Sequence, residues 1–143
     1  MRIRLVVLLL SLLALSESAN AEIQGEWSLY CDSTTNIYPD NNGQSSMTVL
    51  TSQLYIDVNY SDSSDKSSTK IYYGGLRDLG TGGMRLGIPW EKLSKSDPIA
   101  LFSKVSEREA RLKWFGFLDI YGAEVDVMSD FSKIEVNILE RCR

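Results

Sequence analysis

Apolar and small residues alternate with polar ones along the segment 23–31, whose sequence is IQGEWSLYC. A period of two is typical of a strand that buries one face and exposes the other. The odd positions carry the residues that we expect to face inward: Ile23, Gly25, Trp27, Leu29 and Cys31. The pattern predicts a first strand in which Trp27 is the largest buried side chain.

Strand character returns in the segment 47–60, but its register changes. Met47 and Val49 are on odd positions, whereas Leu54 and Ile56 are on even ones. Because a slip of one residue turns every side chain to the other face of a sheet, the change predicts a tight turn or a bulge near 51–53. A further strand is predicted over 70–76, which is rich in Ile and Tyr.

The last third of the chain has the strongest strand pattern. A strand is predicted over 110–120, and a tight turn at Tyr121 and Gly122 leads to a second strand over 123–128. A final strand follows, and its apolar residues share one face that we expect to be inward: Ile134, Val136, Ile138 and Cys142.

One short helix is predicted between these two groups of strands. Ser96, Asp97 and Pro98 are typical of a helix start, because proline is favoured at the first helical position. We therefore expect a helix over 98–105. The segment before it, 74–87, has six glycines in fourteen residues and is expected to be irregular.

These elements predict a mostly β fold, either a single small antiparallel barrel or a sandwich, with one short helix. The chain has two cysteines, Cys31 and Cys142. A disulfide requires α-carbons within about 7 Å, so a bond between them would place the first and last strands together. That constraint favours the barrel, although a sandwich with adjacent termini also satisfies it.

The N-terminus is typical of a secretory signal peptide. Arg2 and Arg4 precede an apolar run over 5–15, and the residues 19–21 (ANA) match the small-x-small pattern of a cleavage site. We expect residues 1–21 to be removed and residues 22–143 to form one β-rich domain, periplasmic or secreted and without a membrane anchor. In that oxidising compartment a disulfide is expected rather than free thiols.

The composition excludes several kinds of chemistry. The chain contains no histidine, so it lacks the commonest general base and the commonest zinc ligand. It has 15 Lys and Arg against 19 Asp and Glu, a formal net charge of −4, which argues against nucleic acid as a partner. We find no cofactor or metal motif, and a non-catalytic role is the leading hypothesis.

A catalytic alternative lies in the carboxylates near one predicted hairpin: Asp119, Glu124 and Asp126. Two carboxylates across a cleft can hydrolyse a glycosidic bond. Charged residues are mostly exposed, so solvated acids on strand surfaces are the simpler interpretation.

Binding is the function that the sequence offers most directly. Aromatic side chains on an outward register provide rigid contact area, although loops covering both sheet faces would also explain them. Glycines in the segment 74–87 would let backbone approach a partner. The candidate partner-binding residues are Tyr72, Gly82, Gly83, Arg85, Phe115, Phe117 and Tyr121, and the candidate structural core residues are Trp27 and Trp114.

Two short resemblances bear on function. The sequence Gly25-Glu26-Trp27 in a first strand resembles the Gly-x-Trp that opens lipocalin-type barrels, where the Trp plugs the closed end. The chain also resembles small exported β proteins that inhibit lysozyme or act as immunity proteins against peptidoglycan-degrading toxins. The features that carry this resemblance are the leader, Tyr30-Cys31 and a cysteine near the C-terminus. No functional residue is carried over from either family.

We therefore predict an exported, disulfide-closed β protein that works by binding. Its expected partner is a secreted or periplasmic protein, such as an envelope-acting enzyme or toxin, towards which it acts as an inhibitor or immunity-like module. The alternative is a lipocalin-like carrier of a small apolar ligand. The enzyme hypothesis, a two-carboxylate glycoside hydrolase, ranks below both.

Overall fold

A computed structural model of the protein describes residues 23–31, 36–38, 45–51, 53–64, 67–80 and 87–143. The expected leader, residues 1–21, lies outside the described part of the chain. The described residues form ten strands: β1 (Trp27–Ser28), β2 (Asn36–Tyr38), β3 (Ser45–Leu50), β4 (Leu54–Asp62), β5 (Thr69–Asp78), β6 (Pro98–Lys104), β7 (Glu109–Trp114), β8 (Phe117–Leu118), β9 (Glu124–Val125) and β10 (Val136–Arg141). The described residues also form two short 3-10 helices, Trp90–Lys92 and Asp130–Lys133.

Eight of these strands close into an antiparallel barrel. Their order around it is β1-β10-β7-β6-β5-β4-β3-β2, and β2 pairs back to β1. β8 and β9 form a separate hairpin that comes between β7 and β10 in the chain. The prediction of a mostly β fold is confirmed, and of the two architectures left open the barrel is the one adopted.

Large apolar side chains fill the core of the barrel. Trp27 is buried, as predicted, and its ring packs edge-on against Phe102 with the ring centroids 5.3 Å apart. The indole N–H of Trp27 donates to the carbonyl oxygen of Gln24 at 2.8 Å, which satisfies the one polar atom of that side chain. Trp114 is partly buried against the same core. Other large, fully buried side chains are Ile37, Met47, Leu54, Ile56, Ile71, Tyr73, Ile99, Leu112 and Phe131.

The barrel closes where β1 meets β10, a junction that we call the seam. β1 has two residues, Trp27 and Ser28, which pair with the C-terminal end of β10. Beyond them, the backbone N–H of Cys142 donates to the carbonyl oxygen of Glu26 at 2.8 Å. The disulfide between Cys31 and Cys142 fastens the same place, with α-carbons 5.3 Å apart. The predicted bond and the adjacency of the first and last strands are therefore confirmed.

Several predicted boundaries agree with the strands. The turn expected near 51–53 separates β3 from β4, and the N–H of Gln53 donates to the carbonyl oxygen of Leu50 at 3.1 Å. The strand expected over 70–76 lies within β5. The first strand is shorter than the segment 23–31, since only Trp27 and Ser28 join the ladder.

The helix predicted over 98–105 is wrong, because these residues form β6 and the start of the following loop. β6 lies between β5 and β7 and pairs with both. The polar residues before it make a turn: the Ser94 hydroxyl donates to the Asp97 carboxylate at 2.6 Å and accepts from the Asp97 N–H at 3.2 Å. Pairing on both sides outweighs the local helix-start signal.

The inward face predicted for the last strand is also wrong. Asn137 and Leu139 of β10 are buried, whereas Ile138 is 46% exposed. The buried Asn137 amide is satisfied because its Nδ2 donates to the carbonyl oxygen of Phe131 at 2.8 Å. A polar residue with an internal partner thus reverses the orientation expected from hydrophobicity alone. The apolar residues that instead lie on the outside are Ile134, Val136 and Ile138.

Gly116 interrupts the strand predicted over 110–120. Its φ of +86° lies in the left-handed region, which glycine adopts without strain. β7 ends at Trp114, and after the break Phe117 enters the core at 2% exposed. The break shifts the alternation by one residue, so Phe117 is not the surface residue that the sequence predicted.

We expect Gly25→Ala to weaken the seam. Gly25 has a φ of +78°, and a β-carbon there would collide with the backbone carbonyl oxygen of Arg143. Together these effects should lower the free energy of unfolding by roughly 1–3 kcal/mol, measured by urea denaturation. Gly75→Ala is the matched control, because a β-carbon at Gly75 would meet no atom within 4 Å. Equal losses in the two variants would contradict this account of the seam.

Alkaline pH should destabilise the fold through Tyr60. Burial raises the pKa of Tyr60 from 10.0 to about 12. Between pH 10 and about pH 12, the Tyr60 phenol is ionised in the unfolded chain but stays protonated in the folded protein. The stability that the buried phenol contributes is therefore complete below pH 10 and falls as pH rises towards 12, by roughly 3 kcal/mol.

The measurement for Tyr60 is urea denaturation at a series of pH values from neutral to 12. Tyr60→Phe should remove most of the alkaline loss and leave the part due to Tyr73, whose pKa is also raised by burial. A pH profile that is the same in wild type and Tyr60→Phe would rule out this assignment.

Candidate protein-binding hairpin

The hairpin formed by β8 and β9 carries two exposed apolar side chains at its tip. The tip comprises residues 119–123, and we call it the hairpin tip. Tyr121 is 84% exposed and Ile120 is 59% exposed. An aromatic side chain with that exposure has a large apolar surface available for contact with another molecule.

Hydrogen bonds within the hairpin tip fix its backbone. The Asp119 carboxylate oxygen Oδ1 accepts from the N–H groups of Tyr121 at 2.8 Å and Ala123 at 2.9 Å. Two backbone hydrogen bonds also close the turn. The Asp119 N–H donates to the carbonyl oxygen of Ala123, and the Gly122 N–H donates to the carbonyl oxygen of Asp119. Gly122 has a φ of +84°, so the turn uses the conformation that glycine adopts most easily.

A neighbouring segment ties the hairpin to the barrel. The Ile120 N–H donates to the carbonyl oxygen of Lys92 at 2.9 Å, at the end of the 3-10 helix Trp90–Lys92. Ser94 N–H donates to the carbonyl oxygen of Leu118 at 2.8 Å, and Leu93 forms a β-bridge with Asp119. The tip is therefore supported from its side as well as from its own turn.

An aromatic cluster anchors the base of the hairpin. The Phe117 ring lies 5.6 Å from Trp114, 5.8 Å from Tyr73 and 6.5 Å from Trp90, measured between centroids. Trp114 in turn packs on Phe131 at 5.9 Å. The three contacts of Phe117 are edge-to-face and combine burial with favourable ring geometry, so Phe117 holds the hairpin rather than contacting a partner.

A cleft of about 420 Å³ runs along the base of the hairpin. Trp114 and Phe115 contribute its aromatic lining, while Glu124 and Asp126 contribute carboxylates. No Lys or Arg is among the described residues that line it. The Lys113 ammonium lies 6.0 Å from the centroid of the Phe115 ring. The surface at the base of the hairpin therefore combines aromatic area with two carboxylates and the neighbouring Lys113 ammonium.

The structure brings together only part of the predicted partner-binding set. Tyr121 is at the hairpin tip and Phe115 lies at the entrance to the hairpin, where its N–H donates to the carbonyl oxygen of Ile99. Tyr72 is half-buried in the barrel wall on β5, opposite Asn59 and Pro98. The remaining predicted residues, Gly82, Gly83 and Arg85, lie outside the described residues.

Sequence reasoning missed Ile120 and the structural role of Asp119. Ile120 belongs to the strand predicted over 110–120, and the change of register after Gly116 leaves its side chain exposed. Asp at the start and Gly near the end of a four-residue turn is a recognisable signal, because an Asp side chain caps backbone N–H groups in such turns. That signal would have added Asp119 to the turn that the sequence predicts at Tyr121 and Gly122.

Asp119 also bears on the catalytic hypothesis. Its Oδ1 is engaged by two backbone N–H groups, which accounts for the presence of an acid at this position without catalysis. The glycosidase pair Asp119 and Asp126 stays a prediction. Among the described residues, no three His, Cys, Asp or Glu side chains are grouped so as to hold a metal ion.

Comparison of the chain with protein-family models, curated proteins and solved structures found no match. Within the described ranges, no helix has the length and apolar character needed to cross a membrane. The functional interpretation therefore depends on the geometry of the hairpin and its surroundings.

We expect Asp119→Ala to loosen the hairpin tip, because it removes the acceptor for two N–H groups. Amide hydrogen exchange at Tyr121 and Ala123 should accelerate, with a loss of about 1 kcal/mol in the free energy of unfolding. Asp119→Asn keeps an oxygen acceptor and is the matched control, which should stay close to wild type. Equal exchange rates in wild type and Asp119→Ala would show that the side chain does not hold the tip.

Proposed function

We propose that the protein is an exported, non-catalytic binding protein, an inhibitor or immunity-like module that binds a secreted or periplasmic protein through its hairpin tip. The observation that carries this proposal is the 84% exposure of Tyr121 on a turn whose backbone is fixed by hydrogen bonds. In the complex, the Tyr121 and Ile120 side chains of the hairpin tip enter an apolar pocket on the partner.

The rigidity of the tip supports a binding role. Ordering a flexible loop during association reduces affinity, whereas a preorganised loop avoids that cost. The Asp119 bonds and the aromatic cluster around Phe117 fix both ends of the hairpin. Tyr has few rotatable bonds and offers both apolar area and a hydroxyl, which is why it is enriched at interaction hot spots.

Charge beside the tip supports a partner with a basic rim. Glu124 and Asp126 line the adjacent cleft, and neither forms an ion pair with another described residue. The chain as a whole has a formal net charge of −4. Complementary charges at the rim of an interface accelerate association and exclude like-charged proteins, so they would add specificity to the apolar contact.

The disulfide is consistent with an oxidising, exported location. A disulfide of this kind is uncommon in the reducing cytosol, and the expected leader over residues 1–21 supports export. Binding of a secreted or periplasmic partner requires that location, so the proposed function and the proposed compartment agree.

The carrier alternative has less support. The core positions that a lipocalin-like ligand would need are occupied by large buried side chains, among them Trp27, Phe102, Met47 and Leu112. The cleft at the base of the hairpin is on the outside of the barrel. A surface that binds a protein is the better explanation of this distribution.

The test is partner capture that depends on Tyr121. The protein is immobilised and exposed to the secreted and periplasmic fractions of the organism that makes it, and the captured protein is then measured against purified variants. Tyr121→Ala should weaken binding by roughly 30-fold or more, as expected for a hot-spot residue. Tyr30→Ala removes another exposed tyrosine, located at the seam, and should change affinity by less than about twofold.

Two outcomes would contradict the proposal. One is a captured protein whose affinity is the same for wild type and Tyr121→Ala. The other is equal weakening by Tyr121→Ala and Tyr30→Ala, which would indicate that the contact is not at the hairpin tip.

A further inference from the structure

The disulfide lies on the outside of the barrel. Cys31 is exposed and Cys142 is half-buried, and Cys142 follows the outward positions of β10. The sequence had placed both cysteines in the inward register. Their actual position places the disulfide at the surface of the barrel, outside the packed core.

A surface cleft of about 460 Å³ opens at Cys31. This volume is within the range of small-molecule sites, which is roughly 300–1,000 Å³. Its charged lining includes Arg108 and Arg141 on one hand and Glu109 and Glu140 on the other. Arg141 is paired with Glu107 at 3.2 Å, whereas Arg108 has no ion pair with another described residue. Glu109 and Glu140 form no ion pair with a described residue either, so the cleft offers one free guanidinium together with two free carboxylates.

The connections that the disulfide reinforces are few. β1 pairs with β10 through two residues, while β4 and β5 pair along most of their lengths. N-terminal to Trp27, Gly25 lies close to the backbone carbonyl oxygen of Arg143. Glu26 forms two backbone hydrogen bonds across the seam, one to Arg143 and one to Cys142. Loss of the disulfide would therefore affect β1 first and the long strands of the barrel last.

We propose that the Cys31–Cys142 disulfide is a thiol-exchange site, at which a low-molecular-weight thiol reduces the folded protein and releases β1 from β10. A thiolate of the reagent attacks Cys31 Sγ, the sulfur–sulfur bond breaks, and Cys142 leaves as a thiolate that takes a proton from water. A second thiol attacks the mixed disulfide on Cys31. The products are two protein thiols and one oxidised reagent disulfide, so two electrons pass from the reagent to the protein.

Release of β1 changes the surface on both sides of the seam. A second cleft, lined by Leu29, Tyr30, Ile134 and Asn137 among others, lies on the other side of the same junction. Movement of the segment that contains Leu29 and Tyr30 would open this cleft and widen access to the exposed side chains of Ile134 and Ile138. The redox state of one bond thereby controls the shape of a surface that is separate from the hairpin tip.

The experiment uses the oxidised, folded protein with reduced glutathione as the anionic thiol and dithiothreitol as the uncharged one, without denaturant. Mass spectrometry follows the mixed disulfide and the free thiols, and amide hydrogen exchange follows the backbone. We expect reduction at a rate proportional to thiol concentration, with glutathione first attached to Cys31. Exchange should then accelerate most at Glu26 and Cys142, whereas the amide of Phe115, whose N–H donates to the carbonyl oxygen of Ile99 outside the seam, should accelerate less.

Charge variants test the role of the cleft. Arg108→Gln should slow the reaction with glutathione by roughly 1.5- to 5-fold, the size expected for one exposed charge interaction, and leave the reaction with dithiothreitol unchanged. Lys70→Gln removes an exposed charge on β5 and is the matched control, which should change neither rate.

Two results would overturn the proposal. The first is reduction at a rate independent of thiol concentration, which would mean that global unfolding must come first. The second is uniform acceleration of exchange across all strands after reduction. An equal effect of Arg108→Gln on the two thiols would contradict the role given to the charge of Arg108.

Discussion

The seam between β1 and β10 is the constraint on which the rest of the structure depends. A barrel must join its first and last strands, and here only Trp27 and Ser28 make that ladder. The disulfide compensates for the short pairing, because it joins residues that are 111 positions apart in the chain. It restricts the unfolded chain strongly and holds the two ends of the domain together in the folded state.

Closure of the seam also contributes to the rigid support of the β8–β9 hairpin. Trp27 is buried beneath the seam and contacts Phe102, so the junction and the core are packed as one unit. Separate aromatic contacts around Phe117 attach the β8–β9 hairpin to this unit. The exposed Tyr121 is consequently held by a rigid body, which is the physical basis for treating it as a binding residue.

Alternation of apolar residues and the cysteine pair were enough to predict a barrel or a sandwich and to favour the barrel, because period-two patterning and a distance limit on the disulfide are both local or geometric rules. The errors came from tertiary context. Pairing on both sides made a strand of β6 despite its helix-start signal, and the partner that Phe131 offers to Asn137 reversed the face of β10. Gly116 moved Phe117 inward and Ile120 outward, so the hairpin tip could be predicted as a turn but not as a surface.

The most direct test of this account compares urea denaturation of wild type with that of the double variant Cys31→Ser and Cys142→Ser. Both cysteines are outside the core, so serine should be tolerated and the difference should report on closure of the seam. We predict a loss of about 4–5 kcal/mol in the free energy of unfolding, as expected when a loop of roughly 100 residues is no longer cross-linked. An unchanged free energy of unfolding would contradict the claim that the disulfide at the seam holds the barrel closed.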